Sequence, residues 1–218
     1  MADATLTTAT KPVTVISPSL RPYEFLLFSV IGFVTKSYLL LWLPYRKWYI
    51  NTAWTLLLVG LFYCFFRFRF KVTPPLFVVG SMFLAVGMDV LGNLLGFYTT
   101  TPLFWGIRYD EFTHVAGSAC SLVPVMWVFQ TTTRRMGVRL PADMVAFICT
   151  CITFSLCAWY EILELWDELL GKHTYRIWST HDTPEDLQWD LVGIVLAALI
   201  GVAYYKLKDR REAALLES

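Results

Sequence analysis

Six long apolar segments, separated by short polar stretches, constrain this 218-residue chain more than anything else in it. They run from about Phe25 to Leu43, Thr52 to Phe66, Pro75 to Leu95, Phe112 to Phe129, Met144 to Leu165 and Trp189 to Tyr205. Most approach or exceed the ~20 residues a helix needs to cross the hydrocarbon of a bilayer. In lipid a spanning segment satisfies its own backbone polar groups only as a helix or in a closed barrel, so these segments read as helices. The expected fold is therefore an all-α polytopic membrane protein, a six-transmembrane-helix bundle. Residues 1–22, rich in Thr, Pro and Ser without the apolar core of a signal peptide, read as a flexible tail. Residues 23–207 form the transmembrane domain, and 208–218 a short charged tail. Pro74, Pro75 and Pro141 suit first-turn positions of the helices that follow them.

A composition 56% hydrophobic and only 16% charged excludes an ordinary soluble domain. All five cysteines (Cys64, Cys120, Cys149, Cys151 and Cys157) fall in apolar segments with no CxxC pair. They read as small buried hydrophobes, which argues against both a disulfide scaffold and a thiolate metal site.

Orientation follows from the basic residues. With the N-terminus cytoplasmic, 12 of the 18 Lys and Arg fall inside, among them Arg67, Arg69, Lys71, Arg134, Arg135, Arg139, Lys206 and Lys208. Arg46, Lys47, Arg108, Lys172 and Arg176 fall outside, and Lys36 lies within the first apolar segment. This positive-inside bias at both ends of the chain requires an even number of spans and places both termini in the cytoplasm. The basic loops are explained by topology. Short patches at membrane edges do not make a nucleic-acid surface, and none is expected.

On that topology 11 of the 17 acids collect on the outer side. Asp89 and Asn93 sit one turn apart at the outer end of the third segment. Asp110, Glu111 and His114 stand where the fourth begins, with Asp110 and His114 on one helical face. Glu161, Glu164 and Glu168 share a face at the end of the fifth. Asp182, Asp186 and Asp190 are spaced by four before and into the sixth, where Thr183-Pro184-Glu185 reads as an N-cap and first turn, with Asp182 just before the helix. An ionised carboxylate beside lipid is costly unless it faces protein, water, a cation or a proton. Converging carboxylates also repel one another, and a divalent ion relieves that repulsion. Carboxylate with imidazole suits Mn, Fe or Zn, and carboxylate alone suits Mg. Asp110, His114, Glu161, Glu164 and Asp190 are accordingly the candidate metal ligands, with Asp110, Glu161 and Asp190 as candidate catalytic groups. Lys36, Asp89, Asn93, Arg108, Arg176, Asp182 and Asp186 are candidates for substrate contact or for supporting the ligands. Arg108 and Arg176 are the cations suited to an anionic head group.

Three stretches carry a family resemblance: Arg108-Tyr109-Asp110-Glu111-Phe112-Thr113-His114, then Trp159-Tyr160-Glu161-Ile162-Leu163-Glu164, then Asp182-Thr183 with Leu187-Gln188-Trp189-Asp190-Leu191-Val192-Gly193. In this order they resemble the YjdF-like family of bacterial inner-membrane proteins, with agreement from Asp89 to Gly201. A more distant similarity is to VanZ-like membrane proteins, whose final Asp-x-x-x-(Asp/Asn)-x-x-Gly pattern fits Asp186, Asp190 and Gly193. This chain departs from that pattern in having Glu164 where a glutamine is usual. The resemblance implies a multi-pass location in the bacterial inner membrane and brings no known reaction.

Three function classes follow. The leading expectation is a membrane enzyme, using metal-assisted hydrolysis or transfer on a lipid or lipid-linked substrate at the outer leaflet. The chain holds no P-loop, Rossmann fingerprint or serine-nucleophile motif favouring another enzyme class. The alternatives are a non-catalytic assembly factor held by a membrane-protein partner, and an ion or small-solute transporter.

Overall fold

The computed structural model describes residues 31, 34, 48–98, 102, 105–172, 177 and 179–217. Five helices make up this part of the chain. They are α1 (Trp48–Cys64), α2 (Leu76–Leu95), α3 (Tyr109–Arg135), α4 (Ala142–Asp167) and α5 (Asp182–Glu217). A single wider π-type turn extends α1 over Phe65–Arg69 and α4 over Glu168–Lys172. Each helix has an apolar stretch of at least 18 residues, enough to cross or nearly cross a bilayer at ~1.5 Å per residue.

The six-helix expectation is corrected to five. The segment counted as the first span, Phe25 to Leu43, falls outside the described residues except for helical Ile31 and Val34. Apolar length alone had counted that segment as a span although Lys36 interrupts it. Among the described residues, the helices that pack into the bundle are the five that follow. The even-number argument that placed both termini in the cytoplasm falls with the count. The other five segments correspond to helices; α2 and α4 keep their expected bounds to within two residues, whereas α3 and α5 run on into polar flanks that hydropathy omits, α5 from Asp182 to Glu217.

The surface fits lipid rather than water. Leu76, Phe147 and Ile200 are 87%, 69% and 72% exposed, and large apolar side chains face outward along α1, α2, α4 and α5. A soluble domain would bury such side chains, whereas lipid tails solvate them.

Helix α3 packs against α2, α4 and α5 and is the centre of the bundle. Leu122 on α3, Val145 and Cys149 on α4 and Ile194 on α5 form its fully buried contact. A second core of Phe62, Phe66, Phe70 and Trp127 fastens the end of α1 to α3. Between α3 and α5, Gly193 lies so close to α3 that an added Cβ would overlap the Val115 carbonyl oxygen and Ser118 Oγ. Small residues at such a crossing let backbones approach closely.

Helix boundaries differ slightly from expectation. Pro75 and Pro141 stand at the N-cap rather than in the first turn, their extended ψ leading into α2 and α4. Helix α5 already starts at Asp182, with the Glu185 N–H bonded to the His181 carbonyl, so Asp182 lies within the helix and Thr183 is not the cap. Arg67, Arg69, Arg134, Arg135 and Lys206 gather at the opposite end of the bundle from Asp110, Glu161 and Asp186. There Arg135 donates to the Phe70 carbonyl (2.6 Å), and Arg134 pairs with Asp209 (2.5 Å).

Candidate metal centre

The acidic end is built on the N-termini of α3 and α5 and the C-terminus of α4. Arg108 ties the first two together. Its backbone N–H and its Nε both donate to Glu111, at 2.8 and 3.0 Å, closing a capping box over the first turn of α3. Its guanidinium also reaches Glu185 (3.3 Å) and Asp182 (3.9 Å) on α5. Burial acts to lower the guanidinium pKa, but the Glu111 hydrogen bond and the surrounding carboxylates outweigh it and leave the pKa raised. Arg108 is thus engaged by acids of this chain, and serves as a strut between two helices.

His114 is the hub of the cluster. Its Nδ1 lies 3.3 Å from Asp190 Oδ1, within hydrogen-bond reach. Its Nε2 faces two other carboxylates, Asp186 Oδ1 at 3.6 Å and Asp110 Oδ1 at 3.9 Å. Asp110 and His114 meet through i,i+4 spacing on α3, whereas Asp186 and Asp190 come from one face of α5. The register of α5 is held by Ser118, whose hydroxyl donates to the Asp190 backbone carbonyl at 3.0 Å beside the Gly193 contact.

Two sets of three side chains could hold a cation, the donor atoms of each lying within 4.8 Å of one another. One is Asp110, His114 and Asp186; the other is His114, Glu161 and Asp190. Glu161 and Asp186 are each only 2% exposed, and Glu161 Oε1 and Asp186 Oδ1 are buried without a hydrogen-bond partner among the described residues. Orphan carboxylate oxygens at this depth are expensive. Pairing them with a cation removes the cost, so the donor set fits a divalent ion.

Below the cluster a cavity of about 510 Å³ opens between α1, α2, α3 and α4. Asp110, His114, Glu164 and Asp190 line its polar end. From Asp110 to Val125 on α3 it extends about 22 Å at the helical rise. Its deeper wall includes Val59, Met82, Val86, Val125 and Leu156.

Asp89 and Asn93 line the same cavity but form a separate pair on α2. Asn93 donates to the Asp89 carboxylate (3.1 Å), as does Tyr98 (3.1 Å). Burial, and then the Asp89 charge, push the Tyr98 phenol pKa well up and keep it a donor. Glu164 belongs to neither ligand set. Asp182 is buried beside Arg108, away from the cavity. Lys36 and Arg176 lie outside the described residues.

Sequence reasoning missed several positioning residues: Ser118, Gly193, Tyr98 and Tyr109. The Tyr109 hydroxyl donates to the Met88 carbonyl (2.5 Å), and its ring fills the space beside Gly92. A glycine inside an apolar helix is the signal that could have found Gly92 and Gly193, but nothing local marks Ser118.

Fold and site together define a polytopic helical membrane protein with a buried carboxylate–imidazole cluster at one end of its bundle and candidate metal-binding residues within it. The family model described as "Predicted membrane protein (DUF2238)" matches residues 25–210, and the chain belongs to that family. The chain is 27% identical over 146 residues to the "Inner membrane protein YjdF" of Escherichia coli (strain K12). That match covers 62% of this chain and 66% of the relative, just under two thirds of its length. No solved structure matches. The YjdF-like resemblance stands as a distant homology, and the comparisons give no support to the VanZ-like one.

Proposed function

We propose that this protein is a metal-dependent enzyme of the bacterial inner membrane that acts on an ester or phosphoester of a lipid or lipid-linked substrate at the outer leaflet. The observation that carries this reading is the placement of the cluster at the polar head of a cavity that runs deep between apolar helices. A cavity of about 510 Å³ falls inside the roughly 300–1,000 Å³ of small-molecule sites. Spread over some 22 Å, it has the shape for a chain with a polar group at one end. The basic side chains at the far end of the bundle favour a cytoplasmic position for that end, which turns the cluster outward.

A bound divalent ion, Mn, Fe, Zn or Mg, would polarise the scissile group and favour ionisation of water. The chain's own residues do the rest. Asp110, His114 and Asp190 line the reacting end of the cavity, with Glu164 beside them. Asp110, Glu161 and Asp190 are the carboxylates that would hold the ion or carry the proton transfer. In hydrolysis one of them takes a proton from water as the water oxygen bonds to the carbonyl carbon or phosphorus. The leaving oxygen receives that proton as its own bond breaks. In transfer an acceptor hydroxyl replaces the water.

The test is a screen of lipids and lipid-linked esters and phosphoesters with divalent ions, using wild type, D110A and E161A in the same membranes. Product from wild type alone is expected. Equal product from all three rejects the catalytic assignment. No product from wild type with any substrate puts the accessory-subunit reading in its place.

A further inference from the structure

We infer that a single divalent cation binds between Asp110, Asp186 and Nε2 of His114, with Asp190 acting as a positioning residue behind the imidazole. This rests on the metal-dependent reading above and deepens it by separating the ligands from their support.

The two ring nitrogens of His114 face different surroundings. Nδ1 is within hydrogen-bond distance of Asp190 Oδ1 at 3.3 Å. Nε2 is 3.6 and 3.9 Å from Asp186 and Asp110, too far for good hydrogen bonds. With its Nδ1–H donated to Asp190, the imidazole presents the Nε2 lone pair to the other two carboxylates. Metal-bound histidines are commonly held this way, the second nitrogen donating to a carboxylate that fixes tautomer and ring angle. Metal bonds of about 2.0–2.2 Å separate neighbouring donor atoms by roughly 3–3.5 Å, so the Nε2-side set needs only a small closure around an ion.

Two further observations point the same way. Asp186 is 2% exposed, and its Oδ1 has no hydrogen-bond partner among the described residues, so it is an acceptor without a donor. Asp190 is held independently of any ion: Ser118 bonds its backbone, and Gly193, three residues on, lies against the Val115 carbonyl. Asp110 and His114 both line the cavity, so an ion between them keeps a face open to substrate, as catalytic sites require. Two carboxylates and one imidazole suit Mn²⁺, Fe²⁺ or Zn²⁺. Glu161 belongs to the other set, with His114 and Asp190, and not to the set that holds this ion.

The experiment measures Mn²⁺ binding by the full-length protein in detergent, by electron paramagnetic resonance titration, with pulsed detection of coupling to a ligand nitrogen. Variants are D110N, D186N, D190N and E161Q, each checked for helicity and monodispersity. Wild type is expected to bind one ion with nitrogen coupling. D186N and D110N should each weaken binding by more than about 100-fold, beyond the ~10–100-fold typical of an orienting partner. D190N should fall within that ~10–100-fold range and keep the nitrogen coupling. E161Q should weaken Mn²⁺ binding less than D110N or D186N does. If E161Q and D190N abolish binding while D110N and D186N do not, the ion sits at Nδ1 and the assignment is overturned. Wild type that binds no Mn²⁺ also overturns it. D110N tests the same subsite if D186N fails to fold. Because no substrate is involved, bound metal without any product would reject the proposed reaction and leave this site standing.

Discussion

Gly193 of α5 sits against the carbonyl of Val115 on α3, with no room for a side chain between them. That contact falls one residue beyond His114 in α3 and three beyond Asp190 in α5, so the same close approach of the two helices brings the imidazole to its carboxylate. Helix packing and site geometry are one problem here. A Cβ at position 193 must move either α5 or the backbone of α3.

Gly193→Ala should therefore destabilise the protein by about 1–3 kcal/mol, the range for overpacking a tight contact. It should also weaken divalent-metal binding, because His114 and Asp190 are pushed apart. Thermal unfolding in detergent and metal titration measure the two effects. A variant with wild-type melting and wild-type metal affinity would mean that the contact does not position the site.

Divalent metal should stabilise the folded protein. An ion binding only the folded state at 100 times its dissociation constant adds about 2.7 kcal/mol. Excess chelator should lower the melting temperature of protein purified with its metal, and adding Mn²⁺ or Zn²⁺ should restore it. His114→Ala should remove this response. An identical melting temperature with chelator and with excess metal counts against a metal centre.

Arg108→Gln tests the strut between α3 and α5. It removes the guanidinium bonds to Glu111, Asp182 and Glu185 but leaves the Arg108 backbone bond to Glu111. Hydrogen bonds to charged groups contribute about 1.5–3 kcal/mol, and partial exposure of this pair places the loss at the lower end. Faster hydrogen exchange is expected in the first turns of α3 and α5, with little change in the α3–α4 core around Leu122. Unchanged exchange at both helix starts would show that the strut contributes nothing.

Filling the cavity should separate chain binding from chemistry. Val125→Phe places a ring at its deep end, about 22 Å along α3 from Asp110. Turnover of long-chain substrates should fall at least tenfold, while metal affinity and turnover of short-chain analogues hold. Equal loss for long and short chains would exclude the deep cavity as the chain's berth.

Much of the fold was legible because hydrophobicity is a local property. The stretches Pro75 to Leu95 and Met144 to Leu165 announce α2 and α4 to within two residues at each end, since a run of apolar side chains in lipid has only the helix available to it. The same logic counted Phe25 to Leu43 as a sixth span, and that segment lies outside the described residues except for Ile31 and Val34. The start of α3 beside Asp110 and Glu111 was also visible, because acidic residues favour helix N-termini and the membrane edge, whereas α5 begins before the Thr183 cap that the sequence pointed to.

Composition, span spacing and charge asymmetry determined that this is a membrane protein with its acids gathered at one end, and i,i+4 spacing put Asp110 beside His114. Only the tertiary structure decided which of the remaining acids reach the imidazole. Glu161 and Glu164 share a face of α4 by spacing, yet Glu161 enters a ligand set and Glu164 stays on the cavity wall. Asp186, assigned from sequence to a supporting role, faces Nε2 as closely as any carboxylate does. The reason is that spacing sets neighbours only within one helix. Contacts between helices depend on rotation about each axis and on the distance between axes, and both were set where Gly193 and Ser118 let α5 close against α3.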